Sequence, residues 1–200
     1  MNEVVENSVD KREAILRGAF DEFCENGFLA ASMDRISKRA GASKRTVYRY
    51  FESKEVLFQA LMVRQWTIIA DNLTVSYQPG VDVREQLVEM GRAQARLYTS
   101  LEIMTANKML MSEILRDPEL VSEIQNEVDY TASFEQLFKE AAADGVLTIA
   151  NPRQAAEEFI SLLKGKAFWP FMLGAPLVKP DEMDVMIDQS VDMMMNQYSV

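Results

Sequence analysis

Between Arg35 and Glu55 the chain reads RISKRAGASKRTVYRYFESKE. Seven cations (Arg35, Lys38, Arg39, Lys44, Arg45, Arg49 and Lys54) stand against two acids, Glu52 and Glu55, a local balance of +5 in a chain whose net charge is −10. Cations at that density can meet phosphates and base edges. Arg and Lys donate to guanine O6 and N7, and a tyrosine ring can meet a thymine methyl or donate to a phosphate. A charge run by itself more often marks a solvated helix face. The spacing argues for more: Lys44 and Tyr48 are four apart, and so are Arg45 and Arg49. At about 100° per residue these four cover one side of a helix. Val47 and Phe51, also four apart, fall next to that side and can anchor the helix to a core. Such a short cationic helix suits the major groove of DNA.

Other chemistries lack their residues. The 200 residues include no histidine and one cysteine, Cys24, which removes Ser-His-Asp and Cys-His arrangements and the usual zinc ligand sets. No glycine-rich phosphate loop is present. The sequence therefore points away from an enzyme, a metal site or a cofactor. One cysteine allows no internal disulfide and fits a reducing, cytoplasmic setting. The first fifteen residues are polar and acidic, without the apolar segment of a secretory leader. The longest apolar run, Ala167 to Val178, is too short for a membrane span and contains two prolines. Cys24 lies beside an apolar stripe and reads as a small buried hydrophobe.

The elements that must position the basic stretch are helical. Composition favours helices over a sheet, with few Gly and Pro and frequent Ala, Leu, Glu and Met. Nine helices are expected. The first covers about Lys11 to Asn26, with Leu16, Ala19, Phe20 and Phe23 as its apolar face and Gly27 as its left-handed end. Ser32 caps a short helix from Met33 to Ala40, and Gly41 breaks it. Ser43 caps the next, Lys44 to Tyr50. Ser53 caps a fourth that runs to about Tyr77, before Pro79-Gly80. Asp82 with Glu85 opens a fifth to about Ser100, and a sixth covers about Leu101 to Leu115. Asp117-Pro118 starts a seventh that ends before Gly145, and Asn151-Pro152 starts an eighth that Pro170 kinks or ends. The last covers about Pro180 to Asn196. Residues 1–64 carry 11 Lys+Arg and 10 Asp+Glu, while residues 65–200 carry 10 and 21, so the acidity lies outside the basic stretch.

Two short helices joined by a Gly-containing turn have helix-turn-helix spacing, and the residues around them carry a specific likeness. The stretch AFDEFCENGFLAASMDRISKRAGASKRTVYRYFESKEVLF resembles the N-terminal domain of the TetR family of bacterial transcriptional regulators. Ala19-Phe20, Gly27-Phe28, Ile36, Ala40-Gly41, Ser43, Thr46-Val47-Tyr48, Tyr50-Phe51, Ser53-Lys54-Glu55 and Leu57-Phe58 carry it, over roughly Lys11 to Arg64. The resemblance implies an all-α protein with a three-helix DNA-binding domain, here residues 8–68, and a helical ligand-binding and dimerisation domain, here 69–200. It implies base contacts from Lys44, Arg45 and Tyr48 and phosphate contacts from Arg49, Tyr50 and Lys54. Thr46 belongs to the same signature, and Ser32 and Ser43 stand at helix starts that suit a phosphate. Arg45 departs from the family, where many members carry a small residue.

The expected activity is that of a repressor that binds double-stranded palindromic operator DNA as a homodimer and is released by a small, apolar effector. The alternative is an architectural or cell-cycle DNA-binding protein of the same fold without small-molecule control. Methionines and aromatics in the second part would suit a flexible apolar ligand, and the expected lining is Trp66, Tyr98, Met104 and Phe134. The expected dimer faces are Phe159 and Leu163 on the eighth helix and Met183, Ile187, Val191 and Met194 on the ninth, which could build a four-helix interface. The same stripes could instead complete the subunit's own core.

Overall fold

The computed structural model describes residues 2–73, 75–117, 129 and 131–200. The elements in order are α1 (Asn2–Ala30), α2 (Met33–Arg39), α3 (Lys44–Tyr50), α4 (Lys54–Asn72), α5 (Val83–Tyr98), α6 (Leu101–Arg116), α7 (Ala132–Ala143) and α8 (Pro152–Leu163). A π-helical turn (Lys164–Phe168) then leads into the single turn α9 (Trp169–Met172), and α10 (Pro180–Tyr198) follows. Among the described residues there is no strand, only an isolated bridge between Leu147 and Ser199. The protein is all-α, as the sequence implies.

Most helix starts are set by the expected caps. The side chain of Ser32 accepts from the Arg35 N–H, Ser43 from Thr46, Ser53 from Val56 and Asn151 from Gln154. Asp82 accepts from both Arg84 and Glu85. Each satisfies a backbone donor that the first turn of a helix leaves open. Pro118, expected to open the seventh helix, lies outside the described residues.

Four boundaries differ from expectation, one of them the start of the seventh expected helix, which lies at Ala132 after a non-helical Asp129. α1 begins well before Lys11, because nothing in its first turns breaks a helix, and it continues past Gly27 to Ala30 across a kink. Gly27 does take a positive φ of 71°, but its ψ of 164° bends the chain instead of capping it. α4 stops at Asn72, short of Tyr77. The loop that follows is tied to α5: the buried Gln86 accepts from the Gln78 N–H at 2.7 Å and donates to the carbonyls of Gln78 and Val81 at 3.1 and 3.0 Å. That side chain supplies the partners a further helical turn would have supplied. Near Pro170, the Trp169 N–H bonds to the carbonyl of Lys164, five residues back, so a π turn absorbs the proline before the helical path ends at Met172.

The described residues form two compact units. One contains the chain up to Thr67 and α6 from Thr105 onward; the other contains Ile68–Met104 and Asp129–Val200. In the first unit Phe23, Phe28 and Phe58 cluster with ring centres 5.0 to 5.6 Å apart. Ile15, Leu16, Ala19, Ile36, Val47, Leu57 and Leu61 surround them and are fully buried. Burying each of the larger of these side chains contributes about 1.5–3 kcal/mol. α6 joins this core through Met109, Leu110 and Ile114. In the second unit α5, α8 and α10 pack closely, and Phe159 meets both Phe134 and Phe138 at 6.4 Å.

Candidate nucleic-acid interface

α2 is fixed on α1 by a buried carboxylate. Glu22 is completely buried, and its two oxygens accept from Arg35 Nε at 2.5 Å and Arg39 Nε at 3.0 Å. A fully buried charge is tolerable only when paired and hydrogen-bonded in this way. Arg39 also forks onto Glu25, whose carboxyl is held below its usual value first by the Arg39 hydrogen bond and then by its charge. Arg35 reaches the carbonyl of Ala30. Gly18 permits the approach: a Cβ there would lie 3.0 Å from the Ala40 nitrogen and 3.2 Å from the Ile36 carbonyl oxygen.

The turn to α3 passes through Gly41 at φ 58°, a left-handed conformation that costs glycine little. α3 is then anchored by Val47, with no exposed surface, and by Phe51, over whose ring Arg12 sits at 5.5 Å. The expected anchor residues therefore do anchor the helix.

With those residues inward, Lys44, Arg45, Tyr48 and Arg49 all face solvent. Tyr48 is 49% exposed, which for a large ring on a short helix marks an outward presentation. Lys44 pairs with Asp34 at 2.5 Å, both side chains more than half exposed. Arg49 lies over the Tyr50 ring at 5.2 Å. Arg45 and Lys38 make no ion pair among the described residues. Thr46 is half-buried, with its hydroxyl 2.8 Å from that of Ser43. Ser32 and Ser43 accept as caps, and a hydroxyl that accepts still has a hydrogen to donate.

The sequence count of seven cations overstates the free charge. Arg35 and Arg39 are committed to Glu22 and Glu25. Lys54, expected to meet a phosphate, is engaged within the protein. Its ammonium donates to the carbonyls of Phe28, Leu29 and Ala31 at 2.7, 3.1 and 3.2 Å, and lies 4.6 Å from the Phe28 ring centre. An ammonium has three donors, and three acceptors take them. The start of α4 thus closes the end of α1.

The remaining candidates scatter. Trp66 belongs to the first unit and packs on its core. Tyr98, Met104 and Phe134 are buried in the second unit, Tyr98 against Phe168 at 6.0 Å and Phe134 against Phe159. The six residues expected at a dimer interface are all buried within the single subunit: Phe159, Leu163 and Val191 at 0%, Met183 and Ile187 at 1% and Met194 at 3%. Within the single chain they pack into its core, and Met194 also lines the groove formed by α8 and α10. Sequence reading missed the apolar residues that do look outward, Trp169 on α9 and Val185 and Met193 on α10, with Leu162 of α8 half-buried. A groove of about 600 Å³ is lined by Glu158 and Leu162 of α8 and by Met193, Met194 and Tyr198 of α10, among others. Cys24 is half-buried, and burial first, then Asp21 and Glu25, push its thiol up to about 11. That thiol is a poor nucleophile, in line with a packing role. No helix among the described residues is long and apolar enough to cross a membrane.

Comparison with known proteins agrees with this geometry. Residues 15–61 match the family model described as bacterial regulatory proteins, tetR family. Residues 85–200 match the model described as AefR-like transcriptional repressor, C-terminal domain. A TetR family transcriptional regulator of known structure from Pseudomonas syringae pv. tomato is 34% identical, with a TM-score of 0.81 over 94% of this chain and 97% of that one. The flavonoid-responsive regulator FrrA is 28% identical, with a TM-score of 0.77 over 94% and 97%. The transcriptional regulator RutR of Escherichia coli K12 is 30% identical over 116 residues, 54% of each chain. The match spans about half the length of that curated relative.

Proposed function

The chain belongs to the TetR family of bacterial transcriptional regulators, and from that premise we propose that it is a repressor that binds a palindromic operator as a homodimer and lets go when a small apolar effector binds. The observation that carries this reading is the outward face of α3. Lys44, Arg45 and Tyr48 take base edges and Arg49 and Tyr50 take phosphates, while Val47 and Phe51 hold the helix. Thr46 and the hydroxyls of Ser32 and Ser43 border the same face. The protein's acidity lies elsewhere in the chain, so overall repulsion from DNA penalises weak, non-specific contacts more than a matched site.

A two-fold dimer places two copies of α3 about 34 Å apart, one helical turn of DNA. The surface that supports such a dimer is the exposed apolar side of α8, α9 and α10, with Trp169 47%, Val185 57% and Met193 53% exposed. An operator-binding role puts the protein in the cytoplasm. Effector control is supported by the domain match to AefR-like repressors and by the relative named for its flavonoid response. α6 supplies residues to both compact units and ends against Phe28, 6.0 Å from Arg116. An effector that favours one setting of α6 shifts the DNA-binding equilibrium by its differential affinity and no more.

Selection of bound duplexes from a random library tests the reading. The expected product is an inverted repeat with half-sites one turn apart, bound by a dimer in sedimentation. Enrichment of no sequence, or of an unpaired half-site by a monomer, would overturn it.

A further inference from the structure

α5 buries two glutamines two turns apart, and they are treated differently. Gln86 has every polar atom engaged by the loop before the helix. Gln94, 2% exposed, donates through Nε2 to the hydroxyl of Tyr98 at 2.6 Å, but its Oε1 is a buried side-chain atom without a hydrogen-bond partner. Among the described residues it is alone in that condition. A buried acceptor left unmade is destabilising, and such groups in folded proteins have reasons. The neighbours give one. Met90 lies one turn before Gln94 on the same face and is fully buried, and Tyr98, one turn after, is 3% exposed and meets Phe168. A pliable thioether one turn before an unmet polar group, and one turn after it a ring that Phe168 packs against, have the make-up of a ligand site with one orienting hydrogen bond.

We infer that Gln94 and Tyr98 form the polar anchor of the effector site, and that the effector is an apolar molecule carrying a neutral hydroxyl, best a phenol. The inference rests on the effector-released reading above and names its ligand class. Chemistry narrows the class. The open Oε1 demands a donor. If the amide is turned over, the open group is the NH₂ and demands an acceptor. A hydroxyl serves both orientations, whereas an ether or a hydrocarbon cannot donate. A carboxylate also fails to donate and would bring an uncompensated charge into a dry interior. A phenol ring adds area that can lie against the Tyr98 and Phe168 rings.

The test uses the full-length protein with 4-propylphenol and 4-propylanisole, which differ by methylation of the hydroxyl, followed by calorimetry and thermal melting. The wild type is expected to bind the phenol roughly tenfold more tightly than the ether, the worth of one hydrogen bond. The double variant Gln94→Leu/Tyr98→Phe removes both polar partners together. It is expected to keep the far-ultraviolet circular dichroism of the wild type and to bind phenol and ether equally. Equal binding of the two probes by the wild type, or a retained phenol preference in the double variant, overturns the inference. So does a Gln94→Leu single variant, with Tyr98 intact, that keeps the phenol preference. Binding of the selected operator is measured alongside without probe. A protein that holds its operator but ignores the hydroxyl defeats this inference alone; one that prefers the phenol but binds no operator defeats the reading beneath it.

Discussion

The ammonium of Lys54 sits 2.7 Å from the carbonyl oxygen of Phe28 and 4.6 Å from the centre of that residue's ring. It closes the kinked end of α1 from the first turn of α4, and Arg116 of α6 approaches the same ring at 6.0 Å. A residue placed by its sequence position at a DNA phosphate is thus a clasp within the N-terminal unit. Lys54→Met keeps the length of the stem and removes the donors. It should cost about 2 kcal/mol, the range for hydrogen bonds to a charged group. Urea denaturation should show that loss, while the salt dependence of operator binding stays unchanged. A shallower salt slope with full stability would restore the phosphate role.

Lys44 is the cation of α3 with a local competitor. Its pair with Asp34 is exposed, worth roughly 0.2–1 kcal/mol. Asp34→Asn releases Lys44 and removes a negative charge beside the proposed DNA face, so operator affinity should rise by up to about fivefold per half-site, that pair energy converted. Lys44→Ala should cost about 1–3 kcal/mol on the preferred operator and relax base preference at one position. Fluorescence titration against the preferred and a mutated operator measures both. If Asp34→Asn weakens binding, the pair positions Lys44 instead of competing for it.

The parts of this protein that were legible in the sequence obey local rules. Caps at Ser32, Ser43, Asp82 and Asn151 could be read because a cap depends on a few neighbouring residues. The α3 face could be read because 3.6-residue periodicity sorts Val47 and Phe51 from Arg45 and Arg49. What could not be read depends on partners far along the chain. Glu22 lies 13 residues from Arg35 and 17 from Arg39, so nothing local showed which cations it would neutralise. The loop after α4 is held by Gln86, a side chain of the next helix. The stripe from Met183 to Met194 was correctly apolar, but periodicity shows that a face is buried without showing whether its own subunit or a second one buries it.

That distinction sets the next expectation. Met193 is 53% exposed and lies in the groove beside Leu162. Leu162→Glu/Met193→Glu should turn the proposed dimer into a monomer in sedimentation while the far-ultraviolet circular dichroism stays that of the wild type. Ile187→Asp, one of the buried stripe, should instead abolish folding, since an unpaired charge in the core costs several kcal/mol. A double variant that remains dimeric would place the interface on another face.

At the rim of the same groove the Tyr198 hydroxyl donates to Glu158 at 2.5 Å, and Gln154 donates to the other oxygen at 2.8 Å. These two bonds, Tyr198 first, hold the Glu158 carboxyl below its ordinary value. Its contribution is present above the ordinary carboxylate range and is lost as pH falls through the lowered folded value. The Tyr198 phenol is pushed up to about 12, first by its bond to Glu158 and then by burial and the carboxylate's charge. Its contribution is full below the ordinary phenol value of about 10 and disappears as pH rises through 12. Urea midpoints of the wild type and Tyr198→Phe should therefore differ at pH 8 to 9 and converge by about pH 12. A constant gap would mean the hydroxyl does not titrate with this bond.

Gly91 tests how closely α5 and α10 are fitted. It sits in the interior of α5, where glycine costs a helix about 1 kcal/mol relative to alanine, so propensity alone favours Gly91→Ala. The packing opposes it. An added Cβ would fall 2.7 Å from Ile187 Cγ2, 3.3 Å from Ile187 Cγ1 and 3.4 Å from the Phe159 ring. Ile187 is 1% exposed and Phe159 fully buried. A β-branched side chain has one strongly preferred rotamer in a helix, so Ile187 cannot swing aside and α10 must move or strain. Overpacking of this kind costs about 1–3 kcal/mol, which outweighs the propensity gain in most of that range. The expected net effect is a loss of about 1 kcal/mol in urea denaturation. Ile187→Val in the same chain removes one methylene, though not the Cγ2 and Cγ1 atoms that clash, and should therefore not rescue it. Ile187→Ala removes both and should make Gly91→Ala less damaging there than in the wild type. If the two losses simply add, the close approach of α5 to α10 at Gly91 is not what fixes this position as glycine.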